Sequence, residues 1–218
     1  MDTDQINQPS LRVMLVDDHG VVRAGIRRLL EQEPRIEVIA EADSGEKAYQ
    51  LFGQHLPDIT VMDINMPGMG GLEAIKRILT RYPTAKILVL SMHDNVSFAG
   101  QALKIGARGY LSKSGLSEEL IDAIQWIATG QTFLGHEISS KINFSVSNDD
   151  NPLQQLSVRE FEIFRMLVDG VEVAQIAQRL NISLKTVANY QTTIKQKLKV
   201  NTPIEMVRLA IRHGLINE

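Results

Sequence analysis

Short apolar runs alternate with amphipathic stretches through the first three-fifths of the chain. The runs lie at 12–16, 36–42, 59–62, 86–90 and 109–111 and are rich in Val, Ile and Leu. Runs that are apolar throughout, instead of alternating with polar residues, predict strands covered on both faces. Helical periodicity fills the intervals at 21–32, 44–54, 72–81, 96–105 and 117–129. Pro34, Pro57 and Pro83 stand just past helix ends, and Asp43 with Glu46 has the spacing of a capping box. Five strand–helix units predict an α/β domain with a five-stranded, doubly wound parallel sheet.

From 135 to about 155 the pattern dissolves into Ser, Asn, Asp and Pro, which predicts an interdomain linker over 135–153. Beyond it only helical periodicity remains, at 157–168, 172–180, 184–199 and 203–213, so the second domain is an all-α unit of four helices. Ser157 and Glu160 form a second capping box, with Leu156 and Phe161 placed for the hydrophobic staple.

Composition narrows the function. At 218 residues the chain accommodates two small domains, and 44% hydrophobic residues suffice for real cores. The absence of cysteine excludes a disulfide framework, a thiolate zinc site and a cysteine nucleophile. The N-terminus is acidic and polar, unlike a secretory signal, and no apolar run approaches the roughly 20 residues of a membrane helix. A soluble, cytoplasmic protein without a membrane partner is expected. Charge divides by segment: 1–134 carries 13 Lys/Arg against 17 Asp/Glu, whereas 154–218 carries nine against six. An acidic front and a basic back point to different partners, the back one a nucleic acid.

Ligand sites in open parallel sheets lie beyond the carboxyl ends of the strands, where strand order reverses. Asp17 and Asp18 follow the first predicted strand, Asp63 the third, Ser91 the fourth and Lys113 the fifth. Two carboxylates about 4 Å apart repel by roughly 4 kcal/mol at an effective dielectric near 20. Three on one rim therefore call for a divalent cation, and an all-oxygen shell suits Mg²⁺. His19, His55, His93, His136 and His213 share no metal-ligand spacing, and none is expected to bind a metal.

The strings Val13-Met14-Leu15-Val16-Asp17-Asp18-His19, Val61-Met62-Asp63-Ile64-Asn65-Met66-Pro67-Gly68-Met69-Gly70-Gly71 and Gly109-Tyr110-Leu111-Ser112-Lys113 resemble the receiver domain of two-component response regulators. The resemblance spans about 10–134 and implies a flavodoxin-like sheet in the order 2-1-3-4-5. It further implies that Asp63 is the phosphoacceptor and that Asp17, Asp18, Asp63 and the backbone carbonyl of Asn65 hold Mg²⁺. Ser91 and Lys113 would contact the phosphoryl group, and Tyr110 would be an aromatic switch, though its position suits a plain core residue equally well. One departure stands out: many receivers have proline after the lysine, where this chain has Ser114.

In the helical half, Leu184, Val187, Gln191, Ile194 and Leu198 form a 3-4-3-4 seam that faces inward. Lys185, Asn189, Thr192, Thr193 and Gln196 lie opposite, and 184–199 contains four lysines and no carboxylate. The preceding helix, with Val173, Ile176, Ala177 and Leu180 inward, joins it through Asn181-Ile182-Ser183. That is a helix-turn-helix spacing with Ser183 as N-cap. Such a second helix enters the DNA major groove, lysines on phosphates and amides on base edges. The strings Leu156-Ser157-Val158-Arg159-Glu160, 176–187 and Lys197-Leu198 resemble the LuxR-type effector domain across about 154–218. DNA contacts are assigned to Lys185, Ala188, Asn189, Thr192, Thr193, Lys195, Gln196 and Lys199. In this family the last helix supplies a dimer contact, for which Val207, Ala210 and Ile211 are candidates.

Together these resemblances imply a response regulator of the NarL/FixJ type, not an enzyme. A sensor histidine kinase would phosphorylate Asp63, and a homodimer would then bind double-stranded DNA. Two other readings stay open on residues alone. An aspartate-nucleophile phosphohydrolase uses the same groups, but ordinarily has a second acid where Asn65 stands. An RNA-binding output would need an aromatic platform, and the outward helix face has only Tyr190 at its edge.

Overall fold

The computed structural model describes residues 10–92, 96–145 and 151–216, with backbone alone for 115–118 and 141–145. By internal contacts the chain forms two compact units, Met1–Met92 with Ile105–Gly135, and His93–Lys104 with His136–Glu218.

The first unit runs β1 (Leu11–Val16), α1 (Gly20–Leu30), β2 (Ile36–Ala42), α2 (Gly45–His55), β3 (Ile59–Asp63), α3 (Gly71–Arg81) and β4 (Ile87–Ser91). After α4 (Val96–Lys104) it resumes with β5 (Gly109–Ser112), α5 (Leu116–Ala128) and β6 (Phe133–Leu134). All pairings are parallel, in the order β2-β1-β3-β4-β5-β6. The predicted five strands and their order are present, but the sheet has six. Phe133 and Leu134 pair with Gly109 and Tyr110, and the Gly135 N–H donates to the Tyr110 carbonyl at 2.9 Å. Two residues are too short to show a periodicity, so this edge strand leaves no mark in the pattern.

On one face of the sheet, Val13, Leu15, Ile59, Val61, Leu88, Leu90 and Leu111 bury against Ile26 and Leu30 of α1 and Leu120, Ile124 and Ile127 of α5. Their alternation along each strand follows from the two-residue pleat, and the residues between them cover the other face. The predicted Asp43 cap is corrected: Ser44 caps α2, accepting from the Lys47 N–H at 3.4 Å. Glu46 does not reach back to its own helix start; it accepts instead from the Met69 N–H at 2.8 Å, across the turn that leads into α3.

The second unit contains α6 (His136–Ser145), α7 (Val158–Val168), α8 (Val173–Arg179), α9 (Leu184–Leu198) and α10 (Pro203–Arg212). The expected linker is thus helical over its first half, with Ile138 fully buried. A 3₁₀ turn at Pro152–Gln155, capped by Asn151, follows, while 146–150 lie outside the described residues. The Ser157–Glu160 capping box forms in both directions. Phe161, Phe164, Ile176, Val187, Ile194, Met206 and Ala210 are buried together as this unit's core residues.

Although α4 lies in sequence between two strands of the sheet, its contacts group it with the second unit. The reason is chemical. Phe98 meets Phe161 edge-on at 5.0 Å, and the Arg165 guanidinium lies 5.6 Å from the Phe98 ring centre. The buried Gln101 amide donates to the Leu153 carbonyl at 2.8 Å, and Lys104 donates to that of Gln154.

Candidate functional site

Strand order reverses at β1, which pairs β2 on one side and β3 on the other, so the carboxyl ends of β1 and β3 open a crevice there. Asp17 and Asp18 follow β1 and Asp63 ends β3. Asp17 and Asp63 are almost fully buried, Asp18 half-buried. The Lys113 ammonium, after β5, lies 2.7 Å from Asp17 Oδ2 and 2.8 Å from Asp63 Oδ2. The structure therefore brings four of the predicted residues into one cluster, and Lys113 neutralises part of its charge.

Burial pushes the Asp63 carboxyl above its ordinary value, more strongly than Lys113 pulls it down. Burial acts on Lys113 in the opposite sense, but hydrogen bonds to Asp17 and Asp63 overcome it and hold the ammonium above its ordinary value. The other Asp63 oxygen, Oδ1, accepts from the Asn65 N–H at 3.2 Å.

The local backbone requires glycine at Gly71. A Cβ there would strike the Asp63 carbonyl oxygen and approach the Ile64 Cα to 2.7 Å, so only glycine lets α3 start over the end of β3. Where many receivers have proline, the Ser114 N–H donates to Ser112 Oγ at 3.3 Å, and the two hydroxyls lie 2.6 Å apart. This serine pair shapes the turn that presents Lys113. Ser91 is fully buried at the end of β4, beside Ser112 in register, and Tyr110 is fully buried opposite Val89.

Three groups have a place at the site that the sequence expectations do not give them. Arg23 donates to the Asp17 carbonyl at 2.6 Å while Nε pairs with Glu41 at 2.9 Å, tying α1 and β2 to the acidic turn. Arg27 holds the same Glu41 at 2.6 Å, and the two arginines, against its burial, keep that carboxyl below its ordinary value. The third is His19. Its ring nitrogen Nδ1 lies 2.9 Å from Asp18 Oδ1, and donor atoms of Asp17, Asp18, His19 and Asp63 all fall within 4.8 Å of one another. Three of these residues are consecutive in the chain, and the fold brings Asp63 to them. Asp18 Oδ1 is buried, and apart from the 2.9 Å approach of His19 Nδ1 no hydrogen bond satisfies it. The carboxylate-rich donor set fits a hard divalent ion.

On the outer face of α9, Lys185, Ala188, Asn189, Thr192, Gln196 and Lys199 are exposed, and Thr193 and Lys195 are half-buried. Ser183 caps this helix, accepting from the Thr186 N–H at 3.0 Å. Thr192, Lys195, Gln196 and Lys199 line an open cavity of about 460 Å³ with Val200 and Asn201. The inward seam needs one correction. Val187, Ile194 and Leu198 are buried and Gln191 half-buried, but Leu184 is 57% exposed. As the first residue of α9 it lies one turn ahead of the packed part of the helix. Lys197 is spent internally, 2.6 Å from Glu160 Oε2. On α10, Val207 and Ile211 are half-buried, but Ala210 is fully buried in its own unit and is withdrawn as a dimer contact. Ile204, which the sequence reading passed over, is 65% exposed on the same helix.

Among the described residues no helix is long and apolar enough to cross a membrane. Residues 13–125 match the family model of the response regulator receiver domain, and 154–210 that of bacterial regulatory proteins of the luxR family. The chain is 38% identical to the response regulator UvrY of Escherichia coli K12, over 95% of this chain and 96% of that one. It is 35% identical to the transcriptional regulatory protein DegU of Brevibacillus brevis, over 98% of each. Among solved structures it is similar to RcsB of Salmonella enterica serovar Typhimurium bound to promoter P1flhDC in the presence of the phosphomimetic BeF3-. That similarity has a TM-score of 0.70 and 26% identity over 92% of this chain and 98% of that one.

Proposed function

Because the chain belongs to the NarL/FixJ-type response regulators, which join a receiver domain to a LuxR-type regulatory domain, we propose that phosphorylation of Asp63 controls dimerisation and DNA binding. The receiver occupies 10–134, the DNA-binding domain 154–218, and 135–153 connects them. The observation that carries this reading is the Lys113 ammonium, within 2.8 Å of both Asp17 and Asp63 at the mouth of the sheet.

Asp17, Asp18 and Asp63, with the backbone carbonyl of Asn65, would hold Mg²⁺, which when bound supplies positive charge to phosphoryl oxygens. An Asp63 carboxylate oxygen attacks the phosphorus of a phosphohistidine on a sensor kinase. The P–N bond breaks, its electron pair returns to the imidazole, and an acyl phosphate remains on Asp63. Lys113 already sits where it offsets the charge that gathers in this transition state. The new group adds about −1.5 to −2 of charge, and Ser91, at the end of the neighbouring β4, would donate its hydroxyl to a phosphoryl oxygen. Tyr110, buried one strand away, is the side chain whose packing would register a shift of Ser91 toward the phosphoryl group. The chemistry of the chain is confined to accepting and losing this one group.

The output is a paired set of α9 helices, each in a major groove, with Lys185, Lys195 and Lys199 on phosphates and Asn189 and Gln196 on base edges. Exposed Ile204 and half-buried Val207 and Ile211 supply apolar area for pairing of α10. The work of such a regulator is done in the cytoplasm, where DNA and kinase are both reached.

The test treats the full chain with a small acyl-phosphate donor and Mg²⁺ and follows intact mass. The wild type gains one phosphoryl group, Asp63→Asn gains none, and phosphorylated protein retains duplex DNA more strongly from a random pool. A phosphoryl group found on another aspartate of the mutant overturns the assignment.

A further inference from the structure

We infer that His19 is a fourth protein donor at the acidic pocket, shifting its preference from Mg²⁺ toward the later first-row divalent metals. The inference rests on the metal-binding reading of Asp17, Asp18 and Asp63 given above.

The donor atoms lie close enough together to converge on one ion. Donors 2.0–2.1 Å from an octahedral centre lie about 2.9 Å apart when adjacent and about 4.1 Å when opposite. His19 Nδ1 lies 2.9 Å from Asp18 Oδ1 and 3.4 Å from Asp17 Oδ1, and the four residues' donors span at most 4.8 Å. His19 Nδ1 thus stands at the spacing of a neighbouring ligand to Asp18 and about half an ångström beyond it to Asp17.

The two oxygens of Asp17 are divided between neighbours. Oδ2 faces Lys113, whereas Oδ1 accepts the His19 N–H at 2.8 Å and lies on the side of the ring. That backbone bond fixes the turn that delivers the imidazole to the pocket. The ring itself is 65% exposed, so it can rotate onto an ion with little loss of buried packing. Asp18 Oδ1, the oxygen nearest to Nδ1, is buried and has no other hydrogen-bond partner.

Chemistry then decides the preference. A shell of carboxylates and carbonyls suits Mg²⁺, whereas an imidazole nitrogen adds affinity for Ni²⁺, Co²⁺ and Zn²⁺ and little for Mg²⁺. A histidine that merely hydrogen-bonds the aspartates would instead change the affinity of every divalent ion alike.

The experiment loads the full chain with Mn²⁺ and records ¹⁴N hyperfine coupling by pulsed electron paramagnetic resonance. Ni²⁺ and Mg²⁺ affinities are measured by calorimetry on wild type, His19→Ala and His19→Gln. Wild type should show one imidazole nitrogen on Mn²⁺, and both variants should lose it while retaining the ion. Ni²⁺ affinity should fall at least about tenfold in both variants. Mg²⁺ affinity should change by less than about threefold. Asp17→Asn, weakening both metals, locates the titration in this pocket and separates it from the other histidines. Nitrogen coupling that persists in His19→Ala overturns the inference. So does Mn²⁺ bound to wild type without such coupling, or an equal loss of Ni²⁺ and Mg²⁺ affinity. If wild type binds no Mn²⁺ at all, the metal reading itself fails, which is a distinct result.

Discussion

Lys197, near the end of α9, places its ammonium 2.6 Å from Oε2 of Glu160 in the first turn of α7. The same carboxylate accepts the Ser157 N–H at 2.6 Å, so one glutamate both closes the start of α7 and holds α9 to it. Hydrogen bonds from Lys197 and Ser157 outweigh its burial and keep Glu160 below its ordinary value. A group depressed in the folded state stabilises at neutral pH, and that stability is lost as acid protonates it. Lys197→Met should therefore lower stability by about 1–2 kcal/mol at neutral pH. The difference between mutant and wild type in urea midpoint should shrink on acidification below the usual carboxylate range. A penalty that does not vary with pH would show that Lys197 acts by packing alone.

The opposite sign holds at Asp63. Burial raises its carboxyl, so the folded protein binds that proton more tightly than the unfolded chain does. Stability contributed by the group is present in acid and lost as pH rises through the raised value. Asp63→Asn cannot titrate and should gain in stability relative to wild type between pH 4 and pH 7, measured by denaturant midpoints. A constant difference across that range would place the raised group elsewhere.

Gly71→Ala introduces a Cβ against the Asp63 carbonyl and the Ile64 Cα. Overpacking against backbone, which cannot rotate away, should cost about 1–3 kcal/mol. The displaced β3 end should also slow phosphoryl acceptance from a small donor. Unaltered acceptance in a destabilised variant would separate the fold from the site.

The lysines of α9 differ in their engagement, and this gives a comparison within one helix. Lys185 and Lys199 are exposed, whereas Lys197 is paired with Glu160. Lys185→Ala and Lys199→Ala should each reduce the slope of log affinity against log salt by about one. Lys197→Ala should leave the slope unchanged and act only through stability. An equal slope change for all three would mean that the Glu160 pair opens on DNA.

What the sequence determined is what short-range patterning encodes. The apolar runs set the first five strands, because residues covered on both faces leave no polar alternation. Periodicity and caps such as Ser157 and Ser183 set most of the helices. Polar residues just past apolar runs marked Asp17, Asp18, Asp63, Ser91 and Lys113, since strand ends in a parallel sheet share one rim. Two kinds of feature waited for the tertiary structure. Elements with too few residues or too weak a pattern, such as β6 and α6, form because a neighbouring sheet edge or helix stabilises them. Side-chain partnerships were also hidden: Glu160 with Lys197 across 37 residues and, nearer in sequence, Arg23 under Asp17 and His19 beside Asp18. Burial of Ala210 and exposure of Leu184 belong there too. A side chain's direction at a helix end depends on what has packed against the helix, which no local period records.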